Sequence, residues 1–164
     1  MTESELLARF PGTKVKDFYN PYKREGVSQL HIQVVGANEE NKGKYAFSEL
    51  DKSKFPDFAD VESLSIDLFN KRSYEISVIY DDSVTWENTD QFVSRVSEAL
   101  NLPRVWRSDD DDLFHSKTLS CSGFRMTGWV VHKPRSAATL SLVDTLTEKT
   151  IQDRFENRHQ TFKP

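Results

Sequence analysis

The stretch Val61 to Pro103, VESLSIDLFNKRSYEISVIYDDSVTWENTDQFVSRVSEALNLP, decides the fold. Leu64, Ile66 and Leu68 alternate with Ser65 and Asp67. Asn70-Lys71-Arg72 interrupts the pattern, and Tyr74, Ile76, Val78 and Tyr80 then alternate with Glu75 and Ser77. Alternation at period two sends each apolar set to one sheet face, so the segment reads as an antiparallel hairpin with one wet side. Phe92, Val93, Val96, Ala99 and Leu100 follow at helical spacing, and Pro103 stops that helix. The expectation is that Phe92, Val96 and Leu100 cover the hairpin's apolar face, because this helix is the nearest cover.

Toward the N-terminus, Glu3 to Phe10 reads as a short helix with Leu6, Leu7 and Phe10 on one side. Thr2 and Glu5 have the spacing of a capping box, and Pro11-Gly12 ends the helix. Val15 to Tyr19 and Val27 to Val35 read as strands, although Val27 breaks the alternation. Gly36 to Lys44 is a polar loop, and Ser48 to Lys54 fits a short helix. Toward the C-terminus, Arg107 to Lys117 is a loop carrying Asp109-Asp110-Asp111-Asp112. The strand phase of Leu119 and Cys121 changes at Gly123 to that of Phe124, Met126 and Val130, which implies a bulge or bend. Leu140 and Leu142 mark a last strand. Thr145 with Glu148 predicts the start of a last helix, and the tail from about Asn157 frays. The order is roughly α-β-β-β-β-α-β-β-α. Adjacent strands with few helices imply an α+β fold, an antiparallel sheet with helices packed on it.

A chain of 164 residues suits a single domain over 1–164. Nineteen aromatics (11 Phe, 5 Tyr, 3 Trp) supply much of its core volume. The net charge of -4 argues against a general binder of nucleic acid, whose affinity rests on cations facing phosphate, and against anionic membrane surfaces. No stretch approaches the length of a membrane span, and Met1-Thr2-Glu3-Ser4-Glu5 is no signal peptide. The expected compartment is therefore the cytoplasm by default, or the periplasm or exterior if the chain is a trimmed precursor.

Chemistry-bearing motifs are sparse. The run Asp109 to Asp112 lacks the alternation and turning glycine of a calcium loop, so it reads as a solvated loop. Asp81-Asp82-Ser83 reads as a turn. His31, His115, His132 and His159 have no partner three or four residues away, so no local metal pair exists. Nucleophile elbows, phosphate loops and zincin motifs are absent from the sequence. No residue is assigned a catalytic or metal-ligating role, and no cofactor is expected. Cys121, the one cysteine, reads as strand filler with an inert thiol. Arg104, Arg107 and Arg125 could form a small positive patch. Trp86, Trp106 and Trp129 are the candidate partner contacts. Trp86 and Trp106 flank the central helix and suit its core, but any exposed indole would anchor a protein partner.

The opening Met1-Thr2-Glu3-Ser4-Glu5-Leu6-Leu7-Ala8-Arg9-Phe10-Pro11 resembles the helix that opens BamE/SmpA-type bacterial envelope domains, without the leading glycine of that family. More broadly the chain is similar to uncharacterised bacterial proteins, often exported. The similar blocks are Val61 to Ile66, Trp86 to Phe92, Ser97 to Pro103, Leu119 to Phe124 and Thr161 to Pro164. This resemblance implies a shared α+β fold and carries over no catalytic residue. The expected function is thus non-enzymatic, a protein-binding or accessory domain. The alternatives are an enzyme whose site gathers dispersed acidic residues and a histidine, and a structural accessory of the bacterial cell envelope.

Overall fold

The computed structural model describes residues 1–17, 26–35, 48–51, 55–58, 60–108, 115–132 and 137–160. The elements are α1 (Glu3–Arg9), β1 (Val15–Asp17), β2 (Val27–Val35), β3 (Ser48–Asp51), β4 (Val61–Phe69), β5 (Arg72–Tyr80), α2 (Thr89–Ala99), β6 (Arg107–Ser108), β7 (Lys117–Cys121), β8 (Phe124–Val131), β9 (Ala137–Asp144) and α3 (Thr145–Gln160). The nine strands form one sheet in the spatial order β1-β2-β4-β5-β9-β8-β7-β6, with β3 also beside β2. The β2–β3 pairing is parallel and the others are antiparallel. The fold is α+β, helices packed on an antiparallel sheet.

The β4–β5 hairpin forms where the alternation puts it. Asn70 and Lys71 turn it, both with positive φ (48° and 64°), the backbone of a two-residue turn that matches strand twist. Register then aligns one apolar face across the sheet: Leu30, Ile66, Ile76, Leu142, Met126 and Leu119 lie side by side on successive strands. The opposite face is polar, since the intervening residues are His31, Ser65, Ser77, Ser141, Thr127 and Thr118.

Two separate clusters cover the apolar face. Leu6 and Phe10 of α1 pack on Leu30, Ile32, Leu64, Ile66 and Leu68. Trp86 and α2, through Phe92, Val93 and Val96, pack on Leu119, Met126, Val130 and Ala138. The central helix therefore touches its own hairpin only at the end of β5, through Phe92 against Tyr80, among the described residues. The hairpin's cover is α1, 50 residues earlier in the chain, while residues 81–88 carry α2 toward β7 and β8. Gly128 explains why α2 fits there: a Cβ at that position would stand 3.0 Å from Val93 and 3.2 Å from Phe92. Thr89 adds a hydrogen bond, its Oγ1 accepting from Val130 N–H at 3.3 Å.

Other expectations are also corrected. Leu100 is exposed rather than part of the cover, because the chain leaves the sheet there. Tyr74 sits at a register shift between Asp67 and Leu68 and packs with Val27, Phe69 and Ile151 rather than in the cluster under α1. The same cluster explains Val27, which breaks the alternation because it packs under α3. Ser48–Asp51 is a strand, not a helix, and Arg107–Ser108 within the expected loop is a short strand. At Gly123 (φ 87°) the chain reverses in a hairpin turn between β7 and β8 instead of bending, so Leu119, Cys121, Phe124 and Met126 share one face. Asp144, not Thr145, caps α3, accepting from Leu146 N–H at 3.0 Å and Thr147 N–H at 3.1 Å. α3 spans Thr145–Gln160. The Thr2–Glu5 capping box is present. Asp81 is buried and accepts from Ser83 N–H at 2.8 Å, closing the expected turn. The loop 36–44 and the run 109–112 lie outside the described residues.

Candidate functional site

Among the described residues no helix lies over the apolar face between the two clusters. Ser73, Tyr74, Ile76, Leu102, Phe124, Met126, Leu142 and Asp144 line a groove of about 350 Å³ over the ends of β5, β9 and β8. Its floor follows from strand register, because Ile76, Leu142 and Met126 are cross-strand neighbours. Its wall follows from how α2 ends. Leu102 N–H donates to Ser97 O at 2.8 Å and Asn101 N–H donates to Glu98 O at 3.4 Å, with Asn101 at φ 51°. These are the two bonds of a Schellman stop, which turns the residue after Asn101 back toward the helix. Leu102 is that residue, so it faces the groove while Leu100 is left outside. Trp106 fixes the returning chain, donating from Nε1 to Ser97 Oγ at 2.7 Å.

The far rim is the N-terminus. Ser73 donates through its backbone N–H (2.9 Å) and its Oγ (3.2 Å) to Met1 O. Four large apolar residues among those described are exposed: Met1, Leu100, Val105 and Leu146. Each lies within three residues of a lining residue or is hydrogen-bonded to one.

The polar face carries the other candidate constellation. Gln29 Nε2 donates to Asp67 Oδ1 at 2.7 Å, Asp67 stands opposite Glu75, and Ser141 Oγ donates to Glu75 Oε1 at 3.2 Å. In the next row His31 Nδ1 and Ser65 Oγ are 2.8 Å apart. Burial raises the Glu75 carboxyl above its ordinary range, and the Asp67 charge adds to the effect. Burial lowers the His31 imidazole. Arg125 Nη2 pairs with Glu148 Oε1 at 2.7 Å and fastens α3 to β8. Through Arg125 this row is tied to α3. Sequence reading missed it, and the alternation of Glu75 and Asp67 on one hairpin was its only visible sign.

The three tryptophans do not converge. Trp86 is buried against Phe92, ring centroids 4.9 Å apart, with Arg95 above it. Trp106 is half-buried behind Leu102, and Trp129 is half-buried on the polar face. Of the three arginines expected to cluster, Arg104 pairs with Glu98 at 3.3 Å and Arg125 with Glu148. Cys121 packs beside the α2 cluster. Among the described residues no group of three His, Cys, Asp or Glu side chains could hold a metal ion. Among them, too, no helix is long and apolar enough to cross a membrane. Comparison with protein-family models, curated proteins and solved structures finds no match to this chain.

Proposed function

We propose that this protein is a non-enzymatic protein-binding domain whose partner seats apolar side chains in the groove over β5, β9 and β8. One observation carries the reading. Among the described residues no helix covers the middle of the sheet's apolar face, where Ile76, Leu142 and Phe124 are only half-buried between two helical clusters. Burying such surface is worth about 25 cal/mol per Å² before the costs of association. Asp144, the one charged lining residue among those described, adds a polar rim that orients the partner. Half-buried Trp106 supports the Leu102 wall, and the other two indoles lie away from the groove. The row of Asp67, Glu75 and His31 supports the enzyme reading less well, because its side chains already bond to Gln29, Ser141 and Ser65. A role as an accessory in the cell envelope fits the same binding reading and changes only the compartment.

The test is site-specific photo-crosslinking in the producing cells. A benzoylphenylalanine at position 124 in the groove is expected to capture one defined protein. The same group at position 127, on the polar face, is expected to leave it uncaptured. Equal capture from both positions would contradict the assignment.

A further inference from the structure

Resting on the protein-binding reading, we infer that the groove's occupant is the end of an amphipathic helix, about two turns long, that carries an apolar stripe and a lysine or arginine facing Asp144.

The width of the gap selects a helix. α1 lies over β2 and β4, and α2 lies over β8 and β7. Four strand spacings separate these positions, about 19 Å at about 4.8 Å each. Packed helices stand about 8–10 Å apart, so two helices about 19 Å apart leave room for one more between them. Tyr80 and Trp86 fill one end of that gap, in edge-to-face contact at 6.3 Å. The open end presents two rows, Ile76–Leu142–Met126 and Asp144–Phe124. Alternate rows on a sheet face lie about 7 Å apart. Helix positions i and i+4 rise about 6 Å, so two successive anchors of one stripe reach both rows.

Backbone chemistry excludes the extended alternative. β5 is paired with β4 and β9, β9 with β5 and β8, and β8 with β9 and β7. No strand edge opens into the groove. An extended segment laid across this floor would bury unpaired N–H and C=O groups, whereas a helix satisfies its own. Asp144 sets the charge of the occupant. The residue is exposed, and hydrogen bonds from Thr147 and Leu146 lower its carboxyl below its ordinary value.

Two synthetic peptides of one composition test this. One has Leu at i, i+3, i+4 and i+7 with a flanking Lys; the other alternates Leu and polar residues. NMR titration is expected to show the helical peptide shifting the amides of Ile76, Leu142 and Phe124, with a gain in peptide helicity by circular dichroism. Asp144→Asn removes the charge and the Oδ2 acceptor used by Thr147 Oγ1 but keeps a good N-cap, so it is expected to weaken binding at least threefold in a protein that stays folded with a Tm slightly below wild type. The inference falls if the alternating peptide shifts the same amides as strongly, or if neither peptide shifts them. It also falls if sedimentation shows a second copy of the chain in the groove. Capture of a partner from position 124 in any of these cases would leave the protein-binding reading standing.

Discussion

Ile76 and Leu142 stand opposite each other in register across β5 and β9, in the middle of a nine-stranded sheet, and neither is fully buried. Their counterparts two strands away on either side, Leu30 and Leu119, are about 0% and 1% exposed. The most central pair of the apolar face is thus less covered than residues nearer its edges. That inversion follows from helices sited over the two flanks.

Val96 is 7% exposed and packs with Phe92 and Trp86 over β8. Val96→Asp places an unpaired carboxylate in that cluster, at a cost of several kcal/mol against a typical total of about 5–15 kcal/mol. The variant is expected to be unfolded or molten by near-UV circular dichroism. A wild-type melt would contradict the packing of α2.

Gly128 is the contact point between α2 and the sheet. Gly128→Val inserts atoms where a Cβ alone would meet Val93 at 3.0 Å, so stability is expected to fall by about 1–3 kcal/mol in urea unfolding. An unchanged midpoint would mean that α2 does not rest on β8 as described.

Lys71 holds a left-handed backbone, φ 64°, at the second position of the hairpin turn after Asn70. Asn-Gly is the preferred sequence for that turn. Lys71→Gly is expected to raise stability by about 0.5–1 kcal/mol, despite the greater freedom glycine gives the unfolded chain. A destabilised variant would show that the Lys71 side chain holds the turn by its own contacts.

Stability depends on pH through the polar face in two opposing ways. Burial places the His31 pKa below its ordinary 6.5, so the unfolded chain takes the proton first and stability is lost as pH falls below 6.5. Burial, then Asp67, places the Glu75 pKa above its ordinary 4.5. The folded state therefore holds that proton more tightly, and stability is regained as pH falls toward 4.5. His31→Gln is expected to flatten the loss below 6.5, and Glu75→Gln to raise Tm at neutral pH and remove the acid-side gain. Melting curves of the three proteins across that range check both signs. Parallel curves for all three would refute the assignment.

The hairpin, the Thr2 capping box and the helical phase of Phe92, Val93 and Val96 were legible because each is a local periodicity or spacing. Which layer α2 covers was not, since it depends on β9 inserting beside β5, a pairing between residues 60 to 68 apart in sequence. Tyr74 and Leu100 show the same limit. Both fit their local pattern, and a bulge and a Schellman stop, respectively, remove them from it. The groove escaped sequence reading because it is a gap between α1 and α2, and no single stretch encodes a gap. The polar row was half legible in Asp67 and Glu75, but His31 joins it only through the β2–β4 register.

The central claim is that the open groove is the binding surface. The measurement is the affinity of the purified partner captured from position 124 for the double variant Phe124→Ser, Leu142→Ser, with Tm recorded alongside. Both side chains are half-buried, so the variant is expected to stay folded. Its Kd is expected to rise at least tenfold, about 1.4 kcal/mol, while Thr127→Ala on the opposite face leaves Kd unchanged. A folded double variant that binds as tightly as the wild type would contradict the account.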